Sequence, residues 1–181
     1  MNGIDAYAAT VEDAKSAKAD FVIAYLGGVP GKTLTKERAL EYIQAGLHIV
    51  CVFETAADRA KDGQEAGIAD ARTAVVEMKA VGAPPFRPVY FAVDIDTSPN
   101  PSEILPYFTG IHSVLGTRVA GAYGGIDTMN VLFEHGLIGW GYQTEAWSHG
   151  QWHPKAQLRQ VGYGKVYDTD QAVAGDYGGW K

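Results

Sequence analysis

Cys51 is the only cysteine among 181 residues. A lone thiol excludes an intramolecular disulfide, and its place inside the apolar run Ile49 to Phe53 marks it as a small buried hydrophobe rather than a nucleophile. No cluster of Lys and Arg occurs, and the net charge is −6, so neither nucleic acid nor an anionic membrane surface is an expected partner. No uncharged apolar run approaches the ~18 residues that span a bilayer, and the N-terminus enters GIDAY without a basic, then apolar, leader. Membrane insertion is not expected, and the chain as given carries no export signal. G-x-S-x-G and HExxH are both missing, which removes the usual serine-nucleophile and zinc-hydrolase signatures.

What is present is ordinary globular composition, 46% hydrophobic and 20% charged, with 22 glycines that call for many tight turns. The length suits one domain, 1–181. Periodicity predicts alternating strands and helices over the first 136 residues. The predicted strands are a short one at Ile4, then Phe21–Tyr25, Leu47–Phe53, Val89–Asp96 and Val119–Tyr123. The predicted helices are Val11–Ala19, Lys36–Ala45 with Ala39, Leu40 and Ile43 inward, Gly63–Val81 with Ile68, Ala71, Val75 and Met78 on one face, Pro101–Leu115, and Ile126–His135.

After Gly136 the rhythm changes. Leu137–Gln143, Leu158–Val161 and Lys165–Tyr167 read as strands with too little chain between them for crossover helices. Five βα units followed by three strands predict an α/β fold, an irregular (β/α)5(β)3 TIM-barrel-like barrel, because a regular eightfold barrel needs ~250 residues. An open doubly wound sheet is the competing layout.

In either layout the C-terminal strand ends share one rim, and the sequence places acids there. Asp5 follows the first strand, Glu54 ends the third, Asp94 and Asp96 end the fourth, and Asp168 and Asp170 follow the eighth. Strand alternation would project Asp94 and Asp96 to one side. Clustered carboxylates raise the pKa of at least one member, which suits acid–base chemistry or a divalent metal. Trp140, Trp147, Trp152 and Trp180 all fall in the last 42 residues. Trp140 reads as core, whereas Trp147 and Trp152 lie in the polar loop TEAWSHGQWHPK, where rings beside Gln143 and Gln160 suit stacking on sugars. GGVPGKT at 27 to 33 is one residue short of a phosphate-binding loop, and Pro30 removes one of its N–H groups. His149 and His153 are four apart, but Gly150 and Pro154 argue against a helix that could make them a zinc pair.

GIDAY at 3 to 7, the DxD after an apolar strand, GYQTEAW at 141 to 147, Gln160 and VYDTD at 166 to 170 together resemble the glycoside-hydrolase-like barrels related to family 25 muramidases. The likeness is nearer to their actinobacterial and phage-lysin branch, whose members read like FVIAYLGG, YFAVD and QT-x-x-W, and it spans nearly the whole chain. It implies hydrolysis of the β-1,4 bond of peptidoglycan without a cofactor or metal, at the bacterial cell wall, after secretion or release during phage lysis. Residue by residue it implies catalytic roles for Asp94, Asp5 and Asp168, and places Asp96 where the muramidases carry their glutamate proton donor. Asp is one methylene shorter, so Glu54, an acid the family 25 pattern lacks, is the alternative donor. Tyr123, Gln143, Trp147, Gln160 and Asp170 are the expected substrate contacts. The length leaves no room for a separate wall-binding module, which fits a catalytic module or a complete small lysin. Two rival readings remain: a barrel that binds wall glycan without cutting it, and a metal-dependent hydrolase built on the DxD.

Overall fold

The computed structural model of the protein describes all 181 residues. Eight strands, β1 (Asn2–Asp5), β2 (Phe21–Leu26), β3 (His48–Phe53), β4 (Val89–Ala92), β5 (Ala120–Gly124), β6 (Trp140–Thr144), β7 (Leu158–Gly162) and β8 (Asp168–Ala172), close into a barrel in chain order. Five helices connect the early strands: α1 (Val11–Ser16), α2 (Lys36–Gln44), α3 (Gly63–Ala80), α4 (Leu105–Leu115) and α5 (Ile126–Glu134). Helices drop out after β6, as the short spacings predicted. Closure of the sheet excludes the open doubly wound alternative.

Strands β1 to β7 pair in parallel, whereas β8 runs antiparallel to both β1 and β7. The predicted eighth strand, Lys165–Tyr167, is instead part of the tight connection into β8. Asp168 and Asp170 therefore begin a descending strand rather than follow an ascending one. Asp168 still reaches the acidic rim, because an antiparallel strand starts where its neighbours end.

Strands β2 and β3, FVIAYL and HIVCVF, are apolar at almost every position because one face fills the barrel and the other meets the helices. Phe21, Ile23, Val50, Val52, Tyr90, Ala92, Tyr142 and Leu158 pack inside the barrel. The alternate residues, among them Val22, Cys51, Phe91 and Ala122, pack outward with the helices. Cys51 is buried there, and burial pushes its thiol up to about 12. Trp180 returns the chain end to the lower side, bridging antiparallel to Ile49.

Helices α3 and α4 cross at two glycines. A Cβ on Gly67 would lie 2.0 Å from the Tyr107 carbonyl oxygen, and one on Gly110 would lie 2.2 Å from that of Gln64. This close approach sets the rotation of α3, so Asp70 is buried and Val75, predicted inward, is half exposed. Asp70 is compensated by Arg59, which donates from Nε at 2.7 Å and Nη2 at 2.9 Å, and by the Tyr107 hydroxyl at 2.9 Å. In α2 the buried pair is Ala39 and Tyr42, and the predicted Leu40 faces solvent. Tyr42 wins the position because its hydroxyl donates to the Ala9 carbonyl beneath the rim.

Candidate active site

The inward parity of the strands carries polar side chains to the upper rim. Above the apolar filling, Asp5, Tyr25, Glu54, Asp94, Tyr123, Tyr142, Gln160 and Asp168 line one cavity of about 120 Å³. On β1 to β7 each is two residues beyond an interior residue of its own strand or an inward position near its end, and Asp168 is the first inward position of the descending β8. The acids at 5, 54, 94 and 168, expected to converge from separate strands, do so.

Glu54 is bound by Lys32, whose Nζ lies 2.6 Å from Oε2 and 3.9 Å from the centre of the Tyr25 ring. Lys32 belongs to the GGVPGKT loop, so the lysine of that near-miss phosphate motif supplies the counter-charge of a carboxylate. Gly27 lets the loop close over β3: with φ +113° it occupies the left-handed region, and a Cβ there would lie 2.7 Å from the Glu54 carbonyl oxygen. Its N–H donates to Glu77 Oε2 at 2.7 Å, tying the loop to α3.

Asp94 has no such cation in contact. It is half-buried, and burial first, then the neighbouring Glu54 and Asp168, raise its pKa above the usual carboxylate range, against the opposing pull of Lys32. Asp168 accepts from Gln160 Nε2 at 3.0 Å and from the Gly164 N–H at 3.0 Å. Gln160 in turn accepts from the Tyr123 hydroxyl at 2.7 Å. Tyr123, Gln160 and Asp168 thus form one wall whose donors and acceptors are fixed.

Asp5 forms the floor and accepts from the Tyr25 hydroxyl. Burial lifts its pKa to about 7, helped by Asp168 and Glu54 and opposed by its hydrogen bonds to Tyr25 and Tyr142. Asp170 lies deeper, 1% exposed, with Oδ1 2.6 Å from the Tyr142 hydroxyl. It is out of reach of a ligand in the cavity, contrary to the expected substrate contact.

Three other expected site residues stand outside the cavity. Strand β4 ends at Ala92, and the chain bends at Ile95, so Asp96 does not share the face of Asp94. It is exposed, accepts from the Ser98 N–H at 2.9 Å, and is held below the usual carboxylate range by that bond. The next residue, Thr97, is buried with its hydroxyl 3.0 Å from that of Thr128, which fixes the turn away from the rim. Gln143 has the wrong parity, because Tyr142 is the inward residue of β6. Its amide donates to Ser148 Oγ at 2.9 Å and the Gln151 carbonyl at 2.8 Å, and accepts from the His153 N–H at 2.8 Å. Trp147 sits half-buried in the loop so tied, at φ +55°, against Gly125. Trp152 is half-buried beneath the Arg159 guanidinium, 4.8 Å from the ring centre.

Sequence reasoning missed Tyr25, Lys32 and Tyr142 as site residues. The first was legible from parity, since Phe21, Ile23 and Tyr25 alternate toward the interior. Two further rings, Tyr7 and Tyr163, are 57% and 58% exposed at the rim. No three His, Cys, Asp or Glu side chains are arranged to hold a metal ion.

Comparison with known proteins places this barrel. Residues 12–175 match the family described as Rv2525c-like, glycoside hydrolase-like domain. The chain belongs to that family. Among its relatives is Rv2525c of Mycobacterium tuberculosis, named as a proposed peptidoglycan hydrolase, 28% identical over 162 residues that make up 83% of this chain and 68% of the relative. A crystal structure of the Mycobacterium tuberculosis Tat-secreted protein Rv2525c in complex with HEPES superposes with a TM-score of 0.90 at 26% identity, covering 99% of this chain and 98% of that one. The muramidase of Trichobolus zukalii shares the fold with a TM-score of 0.65 at 14% identity, covering 96% and 94%. The structure thus bears out the resemblance read from GIDAY, the DxD and VYDTD at the level of family and fold. Within this Rv2525c-like family member, no helix is long and apolar enough to cross a membrane.

Proposed function

We propose that the protein hydrolyses the glycan of bacterial peptidoglycan, cutting a β-1,4 bond between N-acetylmuramic acid and N-acetylglucosamine by carboxylate chemistry in the rim cavity. The observation that carries this reading is the unlike pair Glu54 and Asp94: one carboxylate is paired with Lys32 at 2.6 Å, and its neighbour is half-buried without a cation and has a raised pKa. Two neighbouring carboxyls in unlike surroundings, one paired with a cation and one not, suit glycoside hydrolysis, which uses one as proton donor and one as charged stabiliser or nucleophile.

The geometry favours Asp94 as the acid that protonates the leaving glycosidic oxygen and Glu54 as the carboxylate facing the oxocarbenium-like centre. Asp96, expected from the muramidase pattern to be the donor, lies outside the cavity. A cavity of about 120 Å³ is below the ~300 Å³ of a typical ligand pocket; it takes the reacting atoms, and the sugar rings extend across the rim. Tyr123, Gln160 and Asp168 would bond the hydroxyls of the bound sugar, and the exposed rings of Tyr7 and Tyr163 offer apolar faces for stacking. The similarity to Rv2525c, a Tat-secreted protein, favours action at the cell wall after secretion over release during phage lysis.

Purified peptidoglycan, with new reducing ends as the readout, tests the assignment. Asp94→Asn and Glu54→Gln should each lose at least ~10²-fold in rate, the scale of a deleted acid or base, while Asp96→Asn should stay within about twofold of wild type, as an exposed group does. Loss with Asp96→Asn and retention with the other two overturns the assignment.

A further inference from the structure

Beneath the cavity, Tyr142 stands between two buried carboxyls. Its hydroxyl oxygen is 2.6 Å from Asp170 Oδ1 and 3.3 Å from Asp5 Oδ2. A phenol has one hydrogen, so it can donate along only one of these lines; the other becomes a hydrogen bond only when a carboxyl supplies the proton. Asp5 Oδ1 is already an acceptor for the Tyr25 hydroxyl. Asp170 Oδ2 is buried and has no partner at all. Two adjacent carboxylates at 7% and 1% exposure, sharing one phenolic hydrogen and facing no cation, are not a stable doubly ionised arrangement.

We propose that Asp5, Tyr142 and Asp170 form a proton-sharing chain in which Asp170, sealed from the substrate, keeps a proton on Asp5 and so presents the cavity with a neutral acid on its floor. The hydrogen bonds then close in sequence: Tyr25 O–H to Asp5 Oδ1, Asp5 O–H to the Tyr142 oxygen, and Tyr142 O–H to Asp170 Oδ1. Shifting both shared hydrogens one step leaves the proton on Asp170 and a carboxylate at Asp5, with no atom gained or lost. Every ionisable group that faces this chain is an acid: Tyr25 from β2, Glu54 from β3, Tyr90 from β4, Tyr123 from β5, and Asp168 from β8. None of them offers a positive charge that would release the proton. The raised pKa of both carboxyls agrees with the geometry: burial lifts each, with Asp168 and Glu54 adding to it at Asp5, and Asp5 and Asp168 adding to it at Asp170.

The consequence deepens the proposed function and rests on it only for its use. A neutral Asp5 spares the cavity one negative charge beside Glu54, Asp94 and Asp168, and its O–H can turn to donate to a substrate oxygen. Asp170 and Tyr142 act through Asp5 and are positioning residues.

Carbon-13 NMR titration of the protein labelled at the aspartate carboxyls reads the chain without any substrate, so its outcome is independent of the hydrolase assignment. In wild type one aspartate, assigned by its loss in Asp5→Asn, should titrate near neutrality. Asp170→Asn keeps the shape and the acceptor for Tyr142 but removes the charge, and should lower the Asp5 midpoint by about one pH unit or more. Asp5→Asn should lower the Asp170 midpoint by a similar amount, because coupling between two binding sites is reciprocal. An Asp5 that titrates in the ordinary carboxylate range, or whose midpoint is the same in Asp170→Asn as in wild type, overturns the proposal.

Discussion

Lys32 Nζ and Glu54 Oε2 lie 2.6 Å apart, with side-chain exposures of only 14% and 19%. The ammonium also sits over the Tyr25 ring at 3.9 Å, so this ion pair is held from two sides and largely out of bulk water. It sets Glu54, which is compensated by a cation, apart from its neighbour Asp94, which is not.

Replacement of Lys32 by methionine should move the pH profile. Lys32 pulls the Asp94 pKa down, against burial and the charges of Glu54 and Asp168. Without the cation Asp94 holds its proton to higher pH. If Asp94 is the acid, the alkaline limb of kcat/KM, which reports the free enzyme, shifts upward in Lys32→Met while the rate at the optimum falls. A limb that stays in place shows that Asp94 does not set it.

Asp5 makes stability depend on pH. Its pKa rises from 3.8 to about 7 on folding, so the native state binds more protons between those values. This contribution is full below pH 3.8 and is lost as pH rises through 7. The shift corresponds to roughly 4 kcal/mol at full ionisation. Asp5→Asn cannot ionise, so its Tm relative to wild type should increase between pH 5 and pH 8. Parallel Tm curves across that range contradict the buried, proton-holding Asp5.

The α3–α4 crossing offers a test of the fold itself. Gly67→Ala places a methyl 2.0 Å from the Tyr107 carbonyl oxygen, a backbone atom that cannot swing aside. The expected cost is about 3 kcal/mol, or roughly 6–12 °C in Tm for a chain of this size. Calorimetry that finds no loss means the helices are farther apart than described.

The rim loop between β6 and β7 depends on Gln143. Gln143→Leu fits the volume but leaves the Gln151 carbonyl and the His153 N–H without a partner and removes the donor to Ser148 Oγ, which keeps its own bond to the Thr144 carbonyl, at about 2 kcal/mol or more. Hydrogen exchange should then accelerate in residues 145–153 while the strands keep their protection. Uniform exchange across the chain would show that Gln143 is not the anchor.

Much of the barrel was legible in the sequence, because apolar strands and amphipathic helices differ in period, and the short spacings after Gly136 forbid crossover helices. The convergence of Asp5, Glu54, Asp94 and Asp168 followed from their positions after apolar runs. Asp96 was misplaced because VYFAV runs apolar straight into DID, and nothing local shows that pairing stops at Ala92; the bend is fixed by the Thr97–Thr128 contact, 31 residues apart. Gln143 was misread by one residue of parity, which is decided by β6 pairing with β5 and β7 rather than by its own neighbours. The direction of β8 was hidden for a similar reason: VYDTD reads the same ascending or descending. Lys32 was recognised as a loop lysine, but its carboxylate partner is 22 residues away and visible only in three dimensions.

Cleavage of wall glycan by the Glu54–Asp94 pair is read out by mass spectrometry of purified peptidoglycan digested by the protein and then reduced with borohydride. Wild type should yield fragments ending in reduced N-acetylmuramic acid, and Glu54→Gln/Asp94→Asn should yield none. Intact glycan after wild-type digestion, or the same fragments from the double variant, would contradict cleavage by that pair.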